Sequence, residues 1–247
     1  TGEENKTPTY YRVTYAVAIG AVTAAMLIIS PETGIATLQE VAIIMGVPFL
    51  IAQFMDDSML RYWKFRSKKV HDTAEHVFGF FSYYKEVVAL ALLVWACLIA
   101  GTKSEKWRFI MQLLLAATLV AVPVWLGKIA VPRVRPKWFQ GTRWTESFQN
   151  VTEKFGEMSL STIFSPAAYK DQSFISGDAA IAFAISAVFA CHFPAHRAIF
   201  YVLAVGCAVS RFVFLHHWPS DIFLGAVVGY LVGRAVLVLT GDVRVGT

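Results

Sequence analysis

The sequence predicts an all-α integral membrane protein, built as a helical bundle of six or seven transmembrane helices. Hydrophobic residues make up 56% of the 247 residues and charged residues 16%, a composition unlike that of soluble domains. The apolar residues also lie in long runs without charge, and a helix needs about 20 of them to cross the hydrocarbon core. Basic residues flank these runs, as suits contact with anionic headgroups.

Six apolar runs are expected to span the membrane. They are residues 13–31, 87–102, 109–127, 179–196, 198–210 and 222–240. The last contains Arg234 near its end, where a long side chain can reach the headgroups. A further run, 41–54, is bracketed by Glu40 and Gln53, so it is either a short span or a helix in the interface. We favour seven spans, comprising a six-helix core and one N-terminal addition, in a single domain covering residues 1–247.

The polar stretches between the spans fall on two sides of the membrane. Two crossings separate stretch 56–80 from stretch 132–178, and two more separate the latter from 211–221, so all three share one side. The links 102–108 and 192–197 fall on the other side with the C-terminal tail. Polar residues of the three long stretches can therefore form one site.

The first polar cluster on this side is Lys128 with Arg135-Pro136, at the end of a span. Seven residues correspond to about two helical turns, but Pro132 breaks a helix between them, so the two cations can converge on one anion. Taken alone, the pair has a simpler interpretation, because positive residues commonly flank membrane helices.

The second cluster is Ser176-Gly177-Asp178, directly before the apolar run that begins at Ala179. Free backbone N–H groups at a helix N-terminus form a ready site for an anion. Ser and Asp are also common N-caps that need no ligand, and this alternative stays open.

The third cluster is Ser210-Arg211, His217 and Asp221, with Pro219 opening the last helix. His217 and Asp221 are four residues apart, close enough for the carboxylate to hold one tautomer of the imidazole. Ionisable residues at membrane depth are costly, so this combination favours a functional role.

Together the clusters place three cations, a helix N-terminus and a His–Asp pair on one side of the membrane. Cations neutralise phosphate oxygens while a carboxylate orients a nucleophile, so the set predicts phosphoryl transfer through a covalent histidine. No His/Cys cluster has the spacing of zinc ligands. The three cysteines lie within predicted spans, which favours packing over a disulfide framework.

These motifs resemble the signature of the type 2 phosphatidic acid phosphatase superfamily. Lys128 and Arg135-Pro136 match its first part, Lys, six residues, Arg-Pro. Ser210-Arg211, His217 and Asp221 match its third part, spacing included, and the resemblance covers about residues 128–233. It implies an enzyme that needs no metal or other cofactor, with the catalytic signature within 128–221.

The resemblance also implies a role for each matching residue. His217 would attack phosphorus and form a phosphohistidine, with Asp221 hydrogen-bonded to its other ring nitrogen. The phosphoryl oxygens would be bound by Lys128, Arg135, Ser176, Gly177 and Arg211.

The middle motif departs from the family pattern. Where the family has Pro-Ser-Gly-His, this chain has Ile175 before the Ser-Gly pair and Asp178 after it. The family histidine protonates the leaving oxygen, whereas an ordinary Asp, with a pKa of about 3.9, is ionised at neutral pH. Three interpretations of Asp178 follow. It is an acid whose pKa is raised by its surroundings, or it marks a low-activity variant that still binds substrate. In the third interpretation it is only a helix cap, and His216 or water supplies the proton.

The leading interpretation is a lipid phosphate phosphatase acting on phosphatidylglycerol phosphate, phosphatidate, a polyprenyl pyrophosphate or lipid A. The same residues would serve a lipid phosphotransferase, and Asp178 favours a lipid-phosphate-binding protein without turnover. A transporter is disfavoured because the ionisable residues cluster at span ends on one face. The expected partners are a phosphorylated lipid and the bilayer, not nucleic acid, with the oligomeric state left open. The resemblance places the site on the extracytoplasmic side of a bacterial inner membrane.

Overall fold

The computed structural model describes residues 50–64, 66–84, 86, 89–99, 101–149, 154, 156 and 165–242. Its α-helices are α1 (Lys68–Ser82), α2 (Ala89–Ile99), α3 (Lys103–Leu119), α4 (Ala121–Ala130), α5 (Gly177–His192), α6 (Arg197–Val213) and α7 (Pro219–Leu239). Residues 50–63 are also helical and end in a π-helical turn, Met59–Trp63. Short 3-10 turns occur at Trp144–Ser147, Pro166–Tyr169 and Pro194–His196. The described chain is thus all-α, as predicted.

Three helical stretches are long and apolar enough to cross a membrane: Lys103–Ala130, Pro194–Val213 and Pro219–Leu239. They contain the predicted spans 109–127, 198–210 and 222–240, as expected for an integral membrane protein.

Two other predicted spans, 87–102 and 179–196, correspond to shorter apolar helices, α2 and α5. The predicted span 13–31 and most of 41–54 lie outside the described residues. The total of six or seven spans therefore stays a prediction.

The longest apolar stretch has a well-defined start and end. At its start, Thr102 and Glu105 form a capping box, in which the Thr102 amide donates to Glu105 Oε2 at 2.7 Å. At its end, α4 stops at Ala130, two residues before Pro132. The predicted helix break between Lys128 and Arg135 is therefore present, and it turns the chain into the long connection that carries half of the site.

Three glycines on one face of α7 let it pack against the backbone of α5. A Cβ at Gly225, Gly229 or Gly233 would lie only 2.4, 2.0 or 2.5 Å from carbonyl oxygens of α5 or its N-cap. Small residues at this spacing allow close approach of membrane helices. The approach sets the N-termini of α5 and α7 side by side, and the Ser176 amide donates to the Asp221 carbonyl at 3.1 Å.

The three polar stretches predicted to share one side do meet. Trp63 Nε1 donates to the Val213 carbonyl at 3.3 Å, which joins the end of the first helical segment to the end of α6. Trp218 Nε1 donates to the Val134 carbonyl at 2.9 Å, which joins the start of α7 to the long connection. The site forms where these three stretches come together.

Candidate active site

His217 lies in the turn between α6 and α7 with 3% of its surface exposed. Leu215 in this turn has φ 55°, a left-handed conformation that is uncommon for a bulky residue. His217 Nδ1 lies 2.6 Å from the carbonyl oxygen of Ser173. Because a carbonyl only accepts hydrogen bonds, Nδ1 carries the hydrogen, and Nε2 keeps the lone pair that a nucleophile needs.

The surroundings keep His217 neutral. Burial, and then the positive charges of Lys128 and Arg135, lower the pKa of its imidazole well below the ordinary 6.5. The charge of Asp178 and the hydrogen bond to Ser173 act in the opposite direction and are weaker. A neutral imidazole at pH 7 is the form able to attack phosphorus.

Asp221 does not occupy the place that the resemblance implied. The ring nitrogen Nδ1 of His217 is bonded to the Ser173 carbonyl rather than to this carboxylate. Asp221, fully buried in the first turn of α7, instead accepts from the Ser173 hydroxyl, from Arg133 Nη1 at 2.6 Å and from the Trp218 amide at 3.3 Å. Asp221 therefore fixes the position of Ser173, and the Ser173 carbonyl in turn fixes the imidazole of His217.

The two cations of the first motif converge as predicted. Lys128 Nζ and Arg135 Nε both donate to the carbonyl oxygen of Gln172, at 3.2 and 3.1 Å. Gln172 is the neighbour of Ser173, whose carbonyl binds His217. Both cations thus lie beside the imidazole, where they can neutralise phosphoryl oxygens.

The N-terminus of α5 carries Ser176-Gly177-Asp178, the motif that departs from the family pattern. Ser176 is the N-cap, and its hydroxyl accepts from the Ala179 amide at 3.4 Å. Asp178 forms an ion pair with Arg211, with Nη1 and Oδ2 3.1 Å apart and the two side chains 9% and 19% exposed for Arg211 and Asp178. Asp178 is therefore more than a helix cap, because its carboxylate pairs with Arg211, one of the three cations predicted to bind phosphate.

His216 does not supply a proton at neutral pH in this arrangement. Burial, followed by the charges of Lys137, Arg211 and Arg135, lowers the pKa of His216 to about 4. The imidazole is therefore neutral at pH 7. For the interpretation in which Asp178 is not the acid, water remains as the proton source.

A second arginine, Arg133, was not singled out by the sequence motifs. It is fully buried and pairs with two buried carboxylates, Asp56 at 2.9 Å and Asp221 at 2.6 Å. Asp56 also accepts from the Ser220 amide at 3.0 Å and from its hydroxyl at 2.5 Å. We call Asp56, Arg133 and Asp221 the buried cluster.

Aromatic rings enclose the buried cluster. The guanidinium carbon of Arg133 lies 4.5 Å from the ring centroid of Phe148 and 4.7 Å from that of Trp218. The one signal in the sequence was a pair of charged residues, Asp56 and Arg133, next to apolar segments. Such residues are usually solvated, and nothing in their spacing of 77 positions indicates that they meet.

The sequence profile of the PAP2 superfamily matches residues 107–244, more than half of the chain. The chain belongs to the PAP2 superfamily. The match contains all eight residues predicted for the site, and membership points to phosphatase-like activity. Of the residues in the buried cluster, Arg133 and Asp221 fall within it, whereas Asp56 precedes it. No solved structure matches the chain.

The N-terminal part is similar to a different family. The profile of the betaine/carnitine/choline transporter family, BCCT, matches residues 1–71. Over 55 residues the chain is 62% identical to the ectoine/glycine betaine/proline transporter EctP of Corynebacterium glutamicum. This similarity covers 22% of the chain and 9% of the transporter. The PAP2 domain is thus preceded by a short transporter-like segment, to which Asp56 belongs.

Proposed function

We propose that this PAP2 protein is a lipid phosphate phosphatase that works through a phosphohistidine at His217. The observation that carries the proposal is the position of His217 between a carbonyl that fixes its tautomer and two converging cations, Lys128 and Arg135. In the first step, Nε2 of His217 forms a bond to phosphorus and the bond to the lipid oxygen breaks. The Ser173 carbonyl stabilises the positive charge that develops on the imidazole, and the cations stabilise the phosphoryl oxygens.

The second step releases phosphate. The leaving oxygen takes a proton from water, and the hydroxide so formed attacks the phosphohistidine, which breaks the N–P bond and restores the neutral imidazole. Acceptance of the phosphoryl group by another lipid would make the same site a phosphotransferase. The carboxylate of Asp178 is engaged by Arg211, which disfavours its use as a proton donor, so we expect a slow enzyme.

A lipid substrate is supported by a groove next to the phosphate-binding residues. The groove has a volume of about 280 Å³ and is mainly apolar, with walls from α4 and α5. Lys128 and Gly177 stand in its lining beside Ala121, Val124 and Ile181. An acyl or prenyl chain in this groove would place its phosphate between the Lys128 ammonium and the N-terminus of α5.

The proposal is tested by phosphate release from phosphatidate, phosphatidylglycerol phosphate, polyprenyl pyrophosphate and lipid A, in detergent with EDTA. We expect release by the unsubstituted protein, loss of release in His217→Ala, and a 32P label on the unsubstituted protein that the variant lacks. Release that persists in His217→Ala would disprove the covalent histidine mechanism.

The groove itself is tested by filling it. Ala121→Trp should raise KM about tenfold for a long-chain lipid phosphate while leaving a short-chain, water-soluble phosphate unaffected, because only the chain needs the groove. Val122→Trp is the matched control, since Val122 is exposed on the same helix and does not line the groove. Equal effects of the two variants, or of one variant on both substrates, would argue against the groove.

A second candidate is a binding protein without turnover, and the ion pair between Asp178 and Arg211 is the observation that favours it. Such a protein would retain phosphorylated lipid through purification and release no phosphate.

We further propose that the site faces the extracytoplasmic side of a bacterial inner membrane. At the opposite end of the bundle, Lys103, Lys106 and Arg197 lie at the starts of α3 and α6, and basic residues at span ends are typical of the cytoplasmic side.

A further inference from the structure

A second cavity lies at the end of the bundle opposite the active site. It has a volume of about 460 Å³ and lies between the end of α5, the start of α6 and the end of α7. Arg234, in its lining, stands 13 positions beyond Asp221 on α7 (234 − 221), which at a rise of about 1.5 Å per residue is about 20 Å. A phosphate bound at His217 cannot reach it, so the cavity is separate from the active site.

Two arginines give this cavity its charge. Arg197 and Arg234 both line it, and no Asp or Glu does. Within the part of the chain that the structure describes, neither arginine forms an ion pair or a hydrogen bond. Arg234 is half-buried on an apolar helix. An unpaired guanidinium at the end of a membrane span is costly unless an anion or the headgroup layer accompanies it.

The other lining residues suit a headgroup. Ala187 and Ala190 on α5 line the cavity with small side chains that leave space for a headgroup. Tyr201 and Tyr230 stand beside the arginines with ring centroids 6.4 Å apart. Tyrosine combines an apolar ring with a hydroxyl that can donate to a phosphate oxygen, and it is enriched at the membrane interface.

We propose that this cavity binds the phosphate of an anionic phospholipid from the leaflet opposite the active site. Arg197 and Arg234 would hold the phosphate oxygens, and the acyl chains would lie against the exposed apolar face of α6, where Val202 is 63% exposed. Basic pockets between transmembrane helices bind anionic headgroups in this way. The proposal does not rest on catalysis, and it can fail while the phosphatase proposal stands.

The test is a lipid competition read by native mass spectrometry. The protein is equilibrated in detergent with equal amounts of phosphatidylglycerol and phosphatidylcholine, and the retained lipids are counted. Each basic residue near an anionic surface contributes roughly a fivefold preference. We therefore expect Arg197→Gln/Arg234→Gln to lower the ratio of retained phosphatidylglycerol to phosphatidylcholine by about tenfold or more.

Two matched variants guard against misfolding and general charge effects. Lys103→Gln/Lys106→Gln removes two cations at the same end of the bundle but outside the cavity, and it should leave the ratio unchanged. Arg197→Lys/Arg234→Lys keeps both charges and should keep most of the preference.

Three outcomes would overturn the proposal. They are an unchanged ratio in the Arg→Gln pair, an equal fall in the Lys103/Lys106 control, and loss of bound phosphatidylglycerol to an equimolar amount of inorganic phosphate, which would indicate a site for free anions. Phosphate release from a water-soluble substrate, unchanged in all three variants, separates this site from the active site.

Discussion

Two arginine–aspartate pairs lie near the same histidine, and they differ in burial and in partners. Arg133 and Asp221 are fully buried, and Asp56 adds a second carboxylate to the same guanidinium. Arg211 and Asp178 are 9% and 19% exposed and lie at the open side of the site. The guanidinium of Arg133 is fully engaged by protein groups, so the first pair can fix the position of Ser173, which binds His217. In the second pair, Arg211 also donates to Ser82 and Ser210, and a phosphate can compete with Asp178 for its Nη1.

The two pairs show that residues of the same charge can have different roles in one site. Arg133 stands two positions before Arg135, and both come from the same connection after α4. Arg135 donates to a main-chain carbonyl beside His217, whereas Arg133 is turned into a cage of aromatic rings and carboxylates. The contrast between the two pairs predicts different outcomes for substitutions in each.

The largest effect is expected for Arg133→Met. The variant leaves the carboxylates of Asp56 and Asp221 buried without their cation, which costs about 3–5 kcal/mol of folding free energy. We expect a large loss of thermal stability in detergent and no phosphate release. Arg61→Met is the matched control, since Arg61 pairs with Asp57 at 2.8 Å on the surface and such pairs contribute at most about 1 kcal/mol. Similar losses in the two variants would contradict the distinction.

A smaller effect is expected for Asp56→Asn. The buried cluster holds two carboxylates and one guanidinium, so removing one negative charge leaves Arg133 paired with Asp221. The cost arises because an amide nitrogen replaces one of the oxygens that accept from Arg133 and Ser220, about 1–3 kcal/mol. Thermal unfolding should show a loss clearly below that of Arg133→Met. An equal or larger loss would mean that Asp56, not Arg133, organises the cluster.

Asp178→Asn should change binding more than stability. Removing the carboxylate frees Nη1 of Arg211 for a phosphate, so inorganic phosphate should bind about tenfold more tightly. The loss of stability should be smaller than that of Arg133→Met, because Arg211 keeps its hydrogen bonds to Ser82 and Ser210. Isothermal titration measures the affinity. Asp57→Asn is the control, as its carboxylate pairs with the exposed Arg61. Unchanged phosphate affinity in Asp178→Asn would show that Asp178 does not compete for the site.

Asp178→His extends this test to catalysis. It restores the residue that the PAP2 signature carries at this position, so phosphate release should rise above that of the unsubstituted protein. Activity in Asp178→His but not in the unsubstituted protein would indicate an intact site without its general acid. No rise in Asp178→His would move the assignment towards the binding protein.

Much of the fold could be predicted because apolar runs and helix breaks are local signals. The break at Pro132 predicted that Lys128 and Arg135 converge, and the structure places both on the Gln172 carbonyl. The three polar stretches were assigned to one side by counting crossings, and contacts such as Asp56 with Arg133 confirm it. The assignment of the chain to one domain stays a prediction, since the two family profiles match separate segments.

The remaining features depend on long-range geometry. The buried cluster joins residues 77 and 88 positions apart, and no periodicity encodes such a pairing. The separation of four positions between His217 and Asp221 predicted that they are neighbours, but after the left-handed Leu215 turn the imidazole is bonded to Ser173 instead. The glycine spacing on α7 was visible in the sequence, yet glycine in an apolar run indicates close packing only when the partner helix is known.

The smallest effect is expected in the pH dependence of the reaction. In the proposed mechanism neutral His217 is the nucleophile, and burial with the charges of Lys128 and Arg135 lowers its pKa well below 6.5. Activity should therefore persist as pH falls below 6.5 and be lost only when the imidazole is protonated. Asp178 raises the pKa of His217, so Asp178→Asn should move the acidic limb of kcat/KM to lower pH, while Lys128→Gln should move it to higher pH.

Measuring both variants with the same substrate removes the contribution of the substrate's own ionisation, which is common to them, and leaves the shift that the protein causes. A limb at or above pH 6.5 that neither substitution moves would show that His217 is not the titrating nucleophile. Opposite shifts would show that Asp178 and Lys128 both act on the imidazole of His217 through their charges.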